Sequence, residues 1–182
     1  MPVHQDAHAV LAFWFDEVGP KRWFAKDAAL DTAIGRRFGL LREEVVASKA
    51  RDWRSRFENA LAAIILIDQF GRNIFRGKPQ AFAADPLARD LTRIVLDAGG
   101  LEARSPHERQ FALLPLMHSE SLADQDRSLI EFARLGDPGI GDFVQKHHDQ
   151  IARFGRFPGR NAALGRVSTE AETDALANGA AF

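Results

Sequence analysis

Apolar residues recur along this chain at helical spacing, and polar residues fill the faces between them. Val10, Leu11, Trp14 and Phe15 predict a helix over 7–16, ended by Gly19-Pro20. Leu30, Ile34, Phe38, Leu41 and Val45 form an i, i+4, i+8 stripe behind Asp27, which is placed to cap it. Arg36, Arg37, Arg42, Glu43 and Glu44 fall on the opposite side and predict its exposed face. The run Ala60 to Ile67 is apolar on every side. Its alanines and the lack of Gly or Pro over 58–69 favour a central helix over a buried strand. Asp85-Pro86 predicts a capped helix ended by Gly99-Gly100. Ser105 and Glu108 form a capping box for a helix that meets Pro115, where a kink or break is expected. Ser121 is placed to cap a helix ending at Gly136, a further helix spans 142–154, and Ser168-Thr169-Glu170 opens a short last one. No alternating run of strand length occurs.

These elements predict an all-α chain of seven to eight helices in stacked antiparallel hairpins, forming a single domain over 1–182 with frayed ends at about 1–6 and 178–182. The length suffices for one compact core. Lys plus Arg number 24 against 25 Asp plus Glu, so the formal net charge of −1 gives no field for nucleic acid. Cysteine is absent, which removes disulfides, thiolate zinc sites and a thiol nucleophile. Tyrosine is absent too, while 14 Phe and 3 Trp suit aromatic filling between helices. The longest apolar run is far short of the roughly 20 residues of a membrane span, and no leader is visible at 1–8. A cytoplasmic protein without cofactor, nucleic acid or membrane partner is the expectation.

Chemistry concentrates in two similar stretches. Asp68-Gln69 precedes Phe70-Gly71-Arg72-Asn73, and Asp149-Gln150 precedes Phe157-Pro158-Gly159-Arg160-Asn161. The two Asp and the two Asn are offset by different amounts, so a strict tandem repeat is excluded. Arg72, Arg76 and Lys78 face one acid in the first stretch, and Arg153, Arg156, Arg160 and Arg166 face none in the second. Glu120, Asp124 and Asp126 carry the opposite sign. Two readings follow: a network tying helix ends together, or a cleft lined by Arg72, Asn73, Arg76, Arg156, Arg160 and Asn161 that holds a small anion or a peptide carboxylate. His118 with Glu120 is the candidate pair for metal-independent acid/base or hydrolytic chemistry. Ser119 and Ser121 lack a nucleophile elbow. A structural or protein-interaction role with no small-molecule site is the third alternative. No metal site is expected: His4 and His8 lie near the terminus, His147-His148 diverge on a helix, and Asp124 and Asp126 lack the rest of a calcium loop.

Asp68-Gln69-Phe70-x-Arg72-Asn73, Phe75-Arg76-Gly77, His118-Ser119-Glu120, Asp124-Gln125-Asp126 and the segment Arg153 to Asn161, with Phe13-Trp14-Phe15 and Trp23-Phe24, resemble the bacterial family called domain of unknown function 924. The likeness runs from about Val10 to Thr173. It implies a tetratricopeptide-like helical fold and no particular activity. Gly71 stands where the family pattern has proline, which predicts a loosened turn at that point.

Overall fold

A computed structural model describes residues 3–136 and 138–179, and these are helical with no strand among them. The helices are α1 (Gln5–Ala12), α2 (Ala28–Ala47), α3 (Phe57–Ile64), α4 (Phe70–Ile74), α5 (Asp85–Ala98), α6 (Pro106–Met117), α7 (Leu122–Ala133), α8 (Pro138–Phe154) and α9 (Glu170–Ala177). Residues 1, 2 and 180–182 of the predicted frayed ends lie outside the described residues, and α1 already begins at Gln5. No described helix is long and apolar enough to cross a membrane.

Two helices contain a widened turn. α1 continues as a π-helical segment over Phe13–Val18, and Ile65–Gln69 is a π-helical segment that joins α3 to α4. The apolar run therefore forms one rod from Phe57 to Ile74, longer than the predicted 58–69. Arg72 and Asn73 lie inside that rod, not after a turn.

The described chain forms two compact units. The first is Met1–Arg76 with Gln80–Pro115, and the second is Gly77–Pro79 with Leu116–Phe182. In the first unit α1 packs on α3, α2 on α4 and α3 on α5. Its core is aromatic. Trp14, Phe70 and Phe111 are fully buried, and Trp14 meets Phe70 and Phe111 edge-on at 5.4 and 5.6 Å between centroids. In the second unit α7 packs on α8 around Phe132, Val144 and Ile151.

The caps follow the sequence in three places. Asp27 accepts from the Leu30 N–H, Ser105 and Glu108 exchange their bonds, and Thr169 forms a capping box with Glu172. They depart from it in two. Asp85 lies within the first turn of α5, not at its cap, because its carboxylate is drawn to Arg72. Ser121 makes no side-chain cap; its N–H donates to Ser119 Oγ. The division between units falls just after Pro115, and α6 runs through that proline to Met117 instead of breaking at it. α8 begins at Pro138, one turn before the predicted start.

The expected exposed face of α2 holds at Arg36, Arg37, Glu43 and Glu44, and Arg42 is the exception. It is 4% exposed, with its guanidinium 4.9 Å from the Phe75 ring centre and Nη1 donating to Glu43. Gly71 makes this possible. A Cβ at Gly71 would sit 3.2 Å from both Arg42 Nε and Nη2. The glycine does not loosen a turn; it lets a guanidinium edge close against a helix. Alanine at 71 gains about 1 kcal/mol of helix propensity but requires the buried Arg42 guanidinium to give way by a few tenths of an ångström. Gly71→Ala is therefore expected to destabilise the native chain and to stabilise an Arg42→Ala background, a sign change measurable by urea unfolding of the double-mutant cycle.

Candidate functional site

The Arg-Asn group of the first unit is built on the widened turn. Asp68 sits there at 1% exposure, one helical turn before Arg72. Arg72 Nη1 lies 2.8 Å from Asp68 Oδ1 and donates to the Asp68 carbonyl at 2.7 Å. The same guanidinium donates to Asp85 Oδ1 and Oδ2 at 3.2 and 3.0 Å. Next to it, Asn73 Nδ2 donates to Asp31 Oδ1 at 2.7 Å, and Arg76 donates to both Asp31 oxygens at 2.8 and 2.9 Å. Burial pushes the Asp31 carboxyl up, but the Arg76 and Asn73 donors outweigh it and hold it below the usual range. Asp31 in the first turn of α2 is thus the acceptor for the whole end of α4.

The second unit repeats the device with different residues. α8 ends at Gly155, whose φ of +69° turns the chain in the left-handed region. Arg156 then donates from Nε and Nη2 to Glu172 Oε1 and Oε2 at 2.6 and 2.9 Å. Asn161 Nδ2 donates to Ser168 Oγ at 3.0 Å and to Glu172 Oε2 at 3.3 Å. The Thr169 N–H adds a bond to the same carboxylate at 2.8 Å. The Arg156 fork, followed by the Thr169 N–H, holds the Glu172 carboxyl down to about 2 against the opposing effect of burial. Arg160 lies over the Phe157 ring at 4.5 Å and donates to the His118 carbonyl at 2.8 Å.

The proposed acid/base pair is differently engaged. Glu120 accepts a bidentate fork from Arg166 at 2.7 and 2.9 Å and the Phe157 N–H at 2.8 Å. Burial raises its carboxyl, while Arg166 and the Phe157 N–H lower it further, so it stays ionised at neutral pH and has no proton to deliver. The His118 ring instead lies 6.2 Å from the His147 ring. His147 is buried, and its Nδ1 is 2.7 Å from the Phe143 carbonyl, which fixes the proton on that nitrogen. Ser119 Oγ donates to Asp124 Oδ2 at 2.7 Å and organises the turn into α7. His148 meets Asp126 at 3.1 Å across α7 and α8. No group of three or more His, Cys, Asp or Glu among the described residues could hold a metal.

Arg72, Asn73 and Arg76 thus belong to the first unit, and Arg156, Arg160, Asn161, His118 and Glu120 to the second. Within each unit the Arg and Asn donors converge on carboxylates of that unit, except that Arg160 donates to the His118 carbonyl. The acceptors Asp31 and Glu172 were not singled out from the sequence, Asp85 was read only as a helix cap, and Arg166 only as one of the arginines of its segment. Asp31 and Glu172 sit in first turns beside expected caps, where an acid reads as helix-dipole or capping chemistry and not as a distant arginine's partner.

The family model for bacterial proteins of unknown function, DUF924, matches residues 10–180. The chain belongs to this family. The family member is also similar to a solved structure of a protein of unknown function from Agrobacterium tumefaciens, at 35% identity and a TM-score of 0.89, over 95% of this chain and 97% of that one. No curated protein matches it.

Two outcomes follow for this DUF924 member. Arg72→Ala leaves Asp68 and Asp85 nearly buried without their cation, so unfolding free energy is expected to fall by about 3 kcal/mol in urea titrations. Glu172 has a depressed pKa, so its contribution to stability is full above the ordinary carboxylate value of 4.5 and is lost as pH falls toward about 2. Between those values Tm should drop more steeply for the native chain than for Glu172→Gln, as read by thermal melts along a pH series.

Proposed function

We propose that this protein is a helical interaction protein whose Arg-Asn groups are internal ties and not a ligand site. The observation that carries this reading is the closure of both groups by carboxylates: Asp31 with Asn73 and Arg76, Asp68 and Asp85 with Arg72, and Glu172 with Arg156 and Asn161. An anion entering either group would have to displace an ionised carboxylate already seated bidentately on its arginine. The engagement of Glu120 by Arg166 speaks in the same way against the His118 and Glu120 chemistry.

What the fold leaves outward supports a partner-binding role. α7 buries Gln125, Ser128 and Glu131 beside Phe132, while Leu122 and Ile130 stay exposed. Phe143 of α8 is exposed as well, at 54%. A tetratricopeptide-like use of helical hairpins to hold a protein partner is part of this proposal and rests on analogy of fold.

Titration of the full chain with inorganic phosphate, against a sodium chloride series of matched ionic strength, tests the reading by differential scanning fluorimetry. No saturable rise in Tm beyond the salt control is expected. A saturable rise that disappears in Arg76→Ala or Arg156→Ala would overturn the proposal in favour of an anion site.

A further inference from the structure

α2 is the longest of the described helices, and one face of it is turned to solvent along its whole length. Thr32, Arg36, Leu40, Glu43 and Ala47 run down that face at spacings of three and four, and all five are exposed. Leu40 is 83% exposed although it stands in the interior of the helix. Gly39 lies beside it. A Cβ at Gly39 would meet no atom within 4 Å, so the chain's own packing does not ask for glycine there. Glycine is also a poor helix former. The missing side chain lowers the surface next to the Leu40 knob and lets another helix approach the axis closely.

The charges on this face complement themselves. Arg36 has no hydrogen bond, ion pair or ring contact among the described residues, so its whole donor fork is available. Glu43 accepts from Arg42 Nη1 at 2.7 Å through Oε1, which leaves Oε2, and its side chain is 60% exposed. Arg36 and Glu43 lie equally far, in opposite directions, from the point between Gly39 and Leu40. A second α2 reversed about a two-fold axis through that point comes to rest with its Glu43 level with Arg36 and its Arg36 level with Glu43. One pair of residues thereby makes two salt bridges, as an isologous contact requires. Thr32 and Ala47 come level with each other at both ends and are too small to obstruct. The two Leu40 side chains meet on one side of the axis, and the two Gly39 face each other on the other side.

We propose that this face of α2 binds a second copy of the same chain, as an antiparallel helix pair with Leu40 at its centre and Arg36–Glu43 bridges on either side. The face uses none of the Arg-Asn groups and none of the exposed apolar residues of α7 and α8. The phosphate titration reads a change in Tm, whereas this inference is read as mass, so the two fail separately.

The test is sedimentation equilibrium of the full chain over a concentration series. The monomer is 20.2 kDa. The mass is expected to rise toward twice that value with a dissociation constant in the micromolar range, as suits a small interface made of one helix face from each copy. Leu40→Glu sets two carboxylates against each other beside the axis and should leave a monomer at every concentration. Arg36→Glu should raise the dissociation constant by about tenfold or more, and Arg36→Lys should keep the dimer. Gly39→Gln should weaken the dimer by about tenfold or more while the urea midpoint of the monomer holds or rises, because the space over Gly39 is open and glutamine is the better helix former. Circular dichroism of each variant separates loss of association from loss of fold. A native chain that stays monomeric throughout overturns the proposal and gives the face to a partner of another kind. A dimer whose dissociation constant is unmoved by Leu40→Glu overturns it as well.

Discussion

A guanidinium fork seated on a carboxylate is the interaction on which both units depend. It is planar, bidentate and always charged on the arginine side, so it fixes direction as well as distance. Arg76 on Asp31 fastens the end of α4 to the start of α2. Arg156 on Glu172 fastens the turn after α8 to α9. Arg166 on Glu120 fastens the segment before α9 to the turn before α7. In each case the partners lie at or beside helix ends, where backbone groups lack intrahelical bonds and the chain is most free to splay. Removing one partner from the more buried of these pairs leaves a charge with no solvent to receive it.

The same chemistry explains which of the two sequence readings the structure favours. Arginine and asparagine in a turn are equally suited to hold an external anion or an internal carboxylate, and only the location of the acid distinguishes them. Here the acid is supplied from 42 positions away for Asn73 and from 16 for Arg156. A cleft would need donors left over.

Much of the fold was legible because apolar spacing and cap residues act over one or two turns. The stripe of α2, the box at Ser105 and Glu108, and the stop at Gly136 are local decisions, and local sequence records them. Arg42 was not legible. Its place on the polar side of the α2 stripe predicts exposure, and only the approach of Gly71 and Phe75 buries it. Asp85 carries a cap signature that Arg72, 13 positions away, overrides, and Ser121 stands at the N-cap of α7 without making a side-chain cap. Of the candidate site, the arginines and asparagines were legible as a class, whereas their acceptors depended on tertiary pairing.

The widened turn over Ile65–Gln69 has a consequence for how this chain can vary in length. A π turn holds one residue more than an α turn, so the rod from Phe57 to Ile74 carries a surplus residue in its middle. Loss of a single residue there would let the rod relax to ordinary α geometry. The wide turn already absorbs that residue, so the side chains beyond it would keep nearly the facing they have now. Arg72, Asn73 and Arg76 would stay aimed at Asp85 and Asp31. A deletion in the α-helical part of the rod, where there is no surplus, would instead turn everything beyond it by about 100°, so the widened turn is the one place where the rod can lose a residue and keep the ties of the first unit.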